Sequence, residues 1–311
     1  MSINIEYPNL KDPIFKNKLF ENNMPINGLG NILYRLSFHY SLSKKYNLIC
    51  NNYLFNEFLN YGISIKMFTN WKTTLVRNIN FNNKKCNIDI TLEEHKNHQI
   101  YDNTLIENIS KYKEKNILIK NYCYLQSIKY FDEYKNEIQD LFSPDKESLN
   151  YIYLKYAQLK ENINIGIHMR LKWGANLSYK IDYFKKAINL IEKKYNKSNL
   201  KINYFVCSDD ITGAKNILSG LNYNFIYLKE NLDYIDLWIM SLCNDNIICH
   251  STFGWWGAYL NKNKNKTVIY PSDIFDFFYK KILRRQNIKE IKENAYPLEW
   301  ICLKSSSMYK K

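Results

Sequence analysis

The stretch Ile-Ile-Cys-His-Ser-Thr-Phe-Gly-Trp-Trp-Gly-Ala-Tyr, residues 247–259, decides the fold class of this chain. Its apolar first part is typical of a buried strand, and the polar residues that follow it precede a predicted helix. In parallel α/β sheets, ligands lie beyond the carboxyl ends of the strands, where backbone N–H groups and the positive end of a helix dipole attract anions. Ser251 and Thr252 are therefore candidate anion-binding residues.

The same alternation of strand and helix extends on both sides of this stretch. Strands are predicted at residues 163–168, 202–207, 225–228, 246–249 and 267–270, with helices at residues 179–195, 211–218, 234–242 and 253–260. Short apolar strands separated by helices imply right-handed crossovers and a parallel sheet that is covered on both faces. The second half of the chain is therefore predicted to be a Rossmann-like unit, followed by a helical, basic tail.

The first half carries a less regular α/β pattern. Asn27-Gly-Leu-Gly-Asn31 precedes apolar residues at helical spacing, which predicts a glycine turn and then a helix. Gly28, Gly30 and Asn31 either cradle a phosphate at the start of this helix or only form a tight turn. A domain boundary is predicted near residue 155, which divides the chain into residues 1–155 and residues 156–311.

Composition sets limits on the class of protein. The chain has 311 residues, is 46% hydrophobic and carries a formal net charge of +14, which favours an anionic partner or reflects a bias toward lysine. Seven cysteines without a C-x-x-C pair are typical of reduced thiols in a reducing compartment. We expect a soluble cytoplasmic protein, and the charge admits peripheral contact with an anionic membrane.

Three polar clusters follow predicted strands of the second half. They are His168-Met-Arg170, Ser208-Asp-Asp210 and His250-Ser-Thr252. Because the carboxyl ends of parallel strands lie at one edge of a sheet, these clusters are expected to converge on a ligand site.

Arg170 and His168 are the candidate catalytic residues of these clusters. The guanidinium of Arg170 would bind phosphate oxygens or form a structural ion pair with a carboxylate. His168 would orient a ligand or pack in the core. Of Asp209 and Asp210, one is expected to cap the next helix and the other to accept hydrogen bonds from a base or ribose.

Two further patterns were weighed. Trp255 and Trp256 are adjacent on a predicted helix, so one is expected to pack in the core and the other to line a cleft. His95 and His98 are spaced for a metal site, but a solvated helix face is favoured because no further ligands complete a set. The chain lacks a paired-carboxylate D-x-D motif, so no metal site is predicted.

Several motifs resemble the α1,2-fucosyltransferases of glycosyltransferase family 11. They occur in the family's order, between residues 27 and 271: Asn27-Gly-Leu-Gly-Asn31, Tyr124-Leu-Gln-Ser127 with Lys129-Tyr-Phe131, His168-Met-Arg170, Ser208-Asp-Asp210, Met240-Ser-Leu-Cys243 and Ser251-Thr-Phe-Gly-Trp-Trp-Gly-Ala258. The resemblance implies a GT-B-like fold with the donor site in the cleft between two domains. It also implies GDP-fucose as the donor, a glycan as the acceptor, inversion at the sugar carbon and no required metal or other cofactor.

The resemblance also implies roles for individual residues. Arg170 would contact the diphosphate, and His168 would support that loop. Asp209 or Asp210 would meet the guanosine. The phosphates would lie against residues 251–253, and Gly28 to Asn31 would face the donor. On the same basis, residues 1–155 would form the acceptor-side domain and residues 156–311 the nucleotide-sugar domain.

The chain departs from the family pattern in two places. The family reads H-x-R-R-G-D or similar, whereas Arg170 is followed here by Leu-Lys-Trp-Gly-Ala175, without the second arginine and the aspartate. The strand that precedes the glycine turn is expected to be replaced by a longer polar segment. The resemblance as a whole still implies a galactoside 2-fucosyltransferase. The alternatives are a transferase of another nucleotide sugar and a non-catalytic basic protein that binds carbohydrate or nucleic acid, although no nucleic acid is expected as a partner.

Overall fold

A computed structural model describes residues 2–6, 28–47, 49–51, 87–93, 100–120, 125–172, 181–272 and 288–304. Its contacts divide the chain into two compact units. Unit 1 is Met1–Phe142 with Glu293–Tyr296, and unit 2 is Ser143–Lys292 with Pro297–Lys311. The predicted division into residues 1–155 and 156–311 as functional domains stays a prediction.

Unit 1 is an α/β unit with one parallel sheet. Its strands are β1 (Ser2–Glu6), β2 (Ile49–Asn51), β3 (Ile90–Glu93) and β4 (Ile117–Lys120), and its helices are α1 (Leu29–Tyr46), α2 (Asn103–Lys111) and α3 (Lys135–Leu141). The strand order is β2-β1-β4-β3, and every pairing is parallel.

Helix α1 starts at Leu29, within the segment that was predicted to form a glycine turn. Gly28 is its N-cap in an extended conformation, and Asn31 donates its backbone N–H to the Gly28 carbonyl at 3.0 Å. Asn47 ends the helix in the left-handed conformation, which asparagine adopts more readily than most residues. The predicted helix is confirmed, but it begins earlier than predicted, because Leu29, Gly30 and Asn31 of the predicted turn already belong to it.

Unit 2 holds a six-stranded parallel sheet. Its strands are β5 (Ile163–Met169), β6 (Ile202–Ser208), β7 (Phe225–Tyr227), β8 (Asp245–Ile247), β9 (Val268–Pro271) and β10 (Ile301–Leu303). Its helices are α4 (Lys146–Lys155), α5 (Gln158–Glu161), α6 (Ile181–Lys194), α7 (Ile211–Leu218), α8 (Asp233–Leu242) and α9 (Thr252–Tyr259), and helix α10 (Ile288–Ala295) spans the boundary of the two units.

The strand order of this sheet is β10-β9-β8-β5-β6-β7. The chain starts at β5, moves outward through β6 and β7, and returns to the other side of β5 with β8. This is the Rossmann order, and it reverses direction between β5 and β8, where doubly wound sheets bind ligands. All seven residues of β5 are buried because helices cover both faces of the central strand. The α/β class with two Rossmann-like units is confirmed, and the GT-B-like arrangement with a donor cleft between the units stays a prediction.

Short strands were the elements that the sequence analysis missed. The expectation of a polar segment in place of the first strand is wrong, because β1 pairs with both β2 and β4. The second half was predicted to have five strands, and β10 adds a sixth beside β9. Each of these strands has five residues or fewer, which is too short for the alternation of side chains to stand out.

Among the described residues, no helix combines the length and the apolar character needed to cross a bilayer.

Candidate active site

The three predicted polar clusters of unit 2 do converge. Strand β5 lies between β6 and β8, so the residues that follow these strands meet at the carboxyl edge of the sheet. The backbone N–H of Arg170 donates to Cys249 Sγ at 3.1 Å, and the backbone N–H of Leu171 donates to Asp209 Oδ1 at 2.7 Å. The edge that reverses strand order therefore carries the candidate site.

Arg170 lies directly after β5 and keeps part of its guanidinium in solvent. Its Nη1 atom is 3.3 Å from Asp209 Oδ2, with 33% of the Arg170 side chain and 16% of the Asp209 side chain exposed. Arg170 therefore forms the ion pair with a carboxylate that was one of the two alternatives for its role. A guanidinium has five N–H donors, so this contact leaves room for phosphate oxygens.

His168 is buried, with 3% of its surface exposed. Its ring stacks on Phe253 with centroids 5.4 Å apart, and Nδ1 lies 3.2 Å from Cys249 Sγ. Burial, and secondarily the charge of Arg170, lower the pKa of His168 to about 3, so the ring is neutral near pH 7. These contacts favour the role of supporting the loop, and a catalytic role for His168 stays a prediction.

Helix α9 approaches His168 closely because of a glycine. A Cβ atom at Gly254 would lie 2.7 Å from His168 Nδ1, closer than real contacts allow. Ser251 caps this helix, accepting the backbone N–H of Phe253 at 3.3 Å. The first turn of α9, with Ser251, Thr252 and Phe253, therefore lies beside the end of β5, where its dipole favours anions.

Asp209 and Asp210 follow β6 and have different partners. Asp210 caps α7 by accepting the backbone N–H of Gly213 at 3.0 Å, as one of the two was expected to do. Ser208 supports this cap, since its hydroxyl donates to the Asp210 carbonyl and accepts the Asp210 N–H, both at 3.1 Å. Asp209 turns toward the end of β5 instead. A contact of either carboxylate with guanosine stays a prediction.

Gly28, Gly30 and Asn31 belong to unit 1. Gly28 is exposed, and a Cβ atom there would meet nothing within 4 Å, whereas Gly30 is buried. Asn31 Oδ1 accepts a hydrogen bond from Gln126 Nε2 at 3.0 Å. Their contact with a donor stays a prediction.

The tryptophan prediction is wrong. Trp255 and Trp256 are both buried, with 3% and 0% of their surfaces exposed. The ring of Trp255 stacks on that of Tyr259 with centroids 4.6 Å apart, and its centroid lies 5.6 Å from that of Trp300. Trp300, in the segment after α10, therefore covers Trp255, and neither tryptophan of the pair is left to line a cleft.

Cys249 is the site residue that sequence reasoning missed. It was counted as one of several buried thiols, yet its sulfur contacts both His168 and the backbone of Arg170. Its place between a buried strand and His250 is the signal that would have included it in the polar cluster.

The neighbouring His250 is neutral for the same reason as His168. Burial lowers the pKa of His250 to about 3, although a hydrogen bond with the Pro271 backbone acts in the opposite direction.

No group of three His, Cys, Asp or Glu side chains in the described part of the chain is placed to hold a metal ion. The pair His95 and His98 lies outside the described residues, as do Trp173, Gly174 and Ala175 of the unusual loop after Arg170.

Several proteins are similar to parts of this sequence. The chain is 31% identical to the Escherichia coli O-antigen biosynthesis glycosyltransferase WbnK over 50% of this chain and 57% of that protein. It is 26% identical to an Escherichia coli alpha-1,2-colitosyltransferase, over 49% and 54%. It is 25% identical to a Caenorhabditis elegans galactoside 2-alpha-L-fucosyltransferase, over 62% and 54%. The chain thus spans about half the length of the curated relatives it matches.

A solved structure and a family model complete the comparison. A GDP complex of an Arabidopsis thaliana FUT1 variant aligns with a TM-score of 0.47 and 13% identity, covering 86% of this chain and 70% of that one. The model of glycosyl transferase family 11 matches residues 37–304, which include every polar cluster of the six-stranded sheet. This chain therefore belongs to glycosyl transferase family 11.

Proposed function

We propose that this protein transfers fucose from GDP-fucose to the 2-hydroxyl of a galactose-containing glycan, with inversion at the sugar carbon. The observation that carries the proposal is the partly exposed guanidinium of Arg170 at the point where strand order reverses, in a chain of family 11. The galactoside 2-alpha-L-fucosyltransferase among the relatives supports the choice of donor sugar and of hydroxyl.

The proposed reaction is a single displacement. The acceptor oxygen forms a bond to the anomeric carbon while the bond from that carbon to the diphosphate oxygen breaks. GDP departs with the electron pair, and the hydroxyl proton passes to a base. Negative charge grows on the diphosphate, so a fixed guanidinium beside it stabilises the transition state more than the ground state. The dipole at the start of α9 acts in the same direction.

Release of GDP is the direct test. The protein is incubated with GDP-fucose alone and with a panel of galactosides, and both GDP and the fucosylated product are measured. We expect GDP release that depends on an acceptor and a product linked through the 2-hydroxyl. Binding of GDP without turnover on any galactoside would contradict the proposal.

Replacement of Arg170 tests its role in this reaction. Arg170→Ala should lower kcat by about 100-fold or more, the usual effect of removing one preorganised charge donor. Arg170→Lys should restore only part of the rate, because lysine keeps the charge without the bidentate fork. Lys201→Ala removes an exposed cation at the opposite end of β6 and serves as the control. Near-normal turnover of Arg170→Ala would exclude the assigned role.

The proposed mechanism needs no metal or other cofactor, because Arg170 and the α9 dipole supply the positive charge at the diphosphate. Turnover should therefore be unchanged when EDTA removes divalent ions from the assay. Addition of Mg²⁺ or Mn²⁺ should not raise it. A strict requirement for either ion would contradict this part of the proposal.

A second donor has an observation in its favour. The chain is also similar to an alpha-1,2-colitosyltransferase, and the loop after Arg170 departs from the family pattern. Competition between GDP-fucose and nucleotide-activated colitose for turnover, compared as kcat/KM, decides between the two donors. If the enzyme prefers the colitose donor, the proposed site and linkage stay as they are, and the transferred sugar is colitose and not fucose.

The surroundings of the reaction are also proposals. We infer that residues 1–155 bind the acceptor, with Gly28, Gly30 and Asn31 facing the donor held by residues 156–311. The seven cysteines support a cytoplasmic location, and the charge of +14 supports salt-sensitive contact with an anionic membrane. Cell fractionation at low and high salt tests both expectations: protein that stays with membranes at high salt would contradict peripheral binding.

A further inference from the structure

The segment Arg170–Lys172, which leaves the end of β5, is held from both neighbouring strands. On the side of β8, Cys249 Sγ accepts the backbone N–H of Arg170 at 3.1 Å. On the side of β6, Asp209 accepts the next two backbone N–H groups, from Leu171 at 2.7 Å and from Lys172 at 3.2 Å. Three consecutive N–H groups at the ligand end of the central strand are therefore already taken by protein atoms.

Asp209 also contacts the side chain of Arg170, with Oδ2 3.3 Å from Nη1. One carboxylate thus fixes the backbone that follows Arg170 and the guanidinium itself. A carboxylate has about four acceptor directions, and Asp209 uses three of them on this segment. Charge-assisted hydrogen bonds of this kind are stronger than neutral ones, which suits Asp209 to hold one conformation.

The neighbouring carboxylate does not share this task. Asp210 is committed to the start of α7, where a Cβ atom at Gly213 would lie 2.6 Å from Asp210 Oδ2 and 3.1 Å from Leu171 Cδ1. The first turn of α7 therefore packs against both the cap and the held segment. Asp210 therefore caps α7, whereas Asp209 holds the segment that follows the neighbouring strand β5.

We propose that Asp209 is a positioning residue that acts on the donor diphosphate through Arg170, and that it does not contact the nucleoside. The inference rests on the proposed function, in which Arg170 binds the diphosphate. An arginine side chain has several rotatable bonds, and binding must otherwise pay for ordering them. Asp209 orders the guanidinium before the donor arrives, so its effect should vanish when Arg170 is absent.

A double-mutant cycle separates positioning from contact. Affinities for GDP and for guanosine are measured by calorimetry for wild type, Asp209→Ala, Arg170→Ala and the double variant. Asp209→Ala should weaken GDP binding by about tenfold, within the range of coupling between neighbouring residues, and leave guanosine binding unchanged. In the Arg170→Ala background, it should cause no further loss. Equal losses for GDP and guanosine, additive with Arg170→Ala, would show contact with the nucleoside and overturn the proposal.

Two further variants guard against a merely structural effect. Asp209→Asn keeps the volume and one oxygen for the backbone N–H groups but removes the charge, so it should recover part of the GDP affinity lost in Asp209→Ala. Asp89→Asn is the matched control, because Asp89 also accepts a backbone N–H, from Asn116 at 2.7 Å, and belongs to unit 1. Its affinity for GDP should equal that of wild type.

A measurement without ligand distinguishes failure of this inference from failure of the proposed function. Amide hydrogen exchange is followed in the apo protein for the peptide that contains Leu171 and Lys172. Both amides should exchange slowly in wild type and faster in Asp209→Ala, with unchanged exchange in β6 and α7 to show that the unit stays folded. Unchanged exchange at these two amides would contradict the proposal that Asp209 holds the segment Arg170–Lys172. Wild-type protein without affinity for GDP would contradict the proposed function, and the exchange result would still decide whether Asp209 holds this segment.

Discussion

The two ends of the six-stranded sheet both carry polar side chains, and they use them differently. At the amino end, a row of asparagines that we call the asparagine ladder links neighbouring strands: Asn224 donates to Asn203 at 2.6 Å, Asn203 donates to Asn164 at 3.1 Å, and the Asn164 backbone donates to Asn244 at 2.7 Å. At the carboxyl end, Arg170 and Asp209 keep part of their surfaces in solvent. The amino end satisfies its polar groups internally, whereas the carboxyl end retains donors that a ligand can reach.

A buried carboxylate strengthens this contrast. The Asp245 side chain at the start of β8 has no exposed surface and accepts hydrogen bonds from Lys194 Nζ and Tyr195 Oη, both at 2.6 Å, and from the Thr267 backbone. Asp209, at the other end of the sheet, pairs with a side chain that is one-third exposed. Polar residues at the amino end of this sheet are thus buried and paired with each other, whereas those at the carboxyl end leave part of their surface open to solvent.

The largest expected effect is on stability at the amino end. Asp245→Ala leaves Lys194 and the Tyr195 hydroxyl without their buried acceptor, and the free energy of unfolding should fall by about 3–5 kcal/mol. Asp209→Ala should cost less than half of this, because water can replace the carboxylate at its partly exposed site. Urea denaturation of both variants checks the difference. Equal losses would remove the contrast between the two ends.

A smaller loss is expected from the asparagine ladder. Asn203→Ala removes an acceptor of Asn224 and a donor to Asn164 in a position that is 1% exposed, which should lower the free energy of unfolding by about 1–3 kcal/mol. The exposed Asn199→Ala is the control and should stay within about 0.5 kcal/mol of wild type. GDP affinity should be unchanged in both, and weakened binding in Asn203→Ala would show that the two ends are coupled.

The smallest expected effect is a dependence on pH that originates at the carboxyl end. The pKa of His168 is about 3 in the folded protein and about 6.5 in the unfolded chain, so the unfolded state binds the proton first as the pH falls. His168 therefore contributes stability that is present above pH 6.5 and is lost progressively below it, by roughly 1 kcal/mol per pH unit.

The measurement compares wild type with His168→Gln between pH 7 and pH 5. The difference in their free energies of unfolding should shift in favour of the variant as the pH falls. This difference cancels the opposite contribution of Asp236, whose pKa burial raises to about 6, so that its protonation stabilises the folded state as the pH falls below 6. A difference that is constant over this range would contradict a neutral, buried His168.

Periodicity made the second half of the chain predictable. The observed bounds of β5, β6, α7 and α8 lie within a residue or so of the predicted ones, because buried parallel strands are continuous apolar runs and their helices are amphipathic. The edge strands β3 and β10 were missed because three or four residues carry too little pattern. Between β4 and α3, Ile128–Tyr130 and Asp132–Tyr134 form separate 3₁₀ turns, which are also too short for side-chain periodicity to reveal.

The location of the candidate site was predictable from the sequence, but the side-chain contacts within it were not. Topology alone brought the three clusters to one edge, because parallel strands end together. Which aspartate caps α7 and which one reaches Arg170 depends on side-chain directions that spacing does not reveal. Asn164 and Asn203 are opposite each other in register and buried, so tertiary pairing, which the sequence pattern does not reveal, gives common residues a specific role.

The close approach of α9 to His168 has a consequence for how this site can change over generations. Because a Cβ atom at Gly254 would overlap the imidazole, a lineage cannot gain alanine at residue 254 while it keeps histidine at residue 168 in its present rotamer. The two positions should therefore be inherited as a pair. A lasting replacement of Gly254 by a residue with a side chain should follow, or be followed closely by, a smaller residue at position 168.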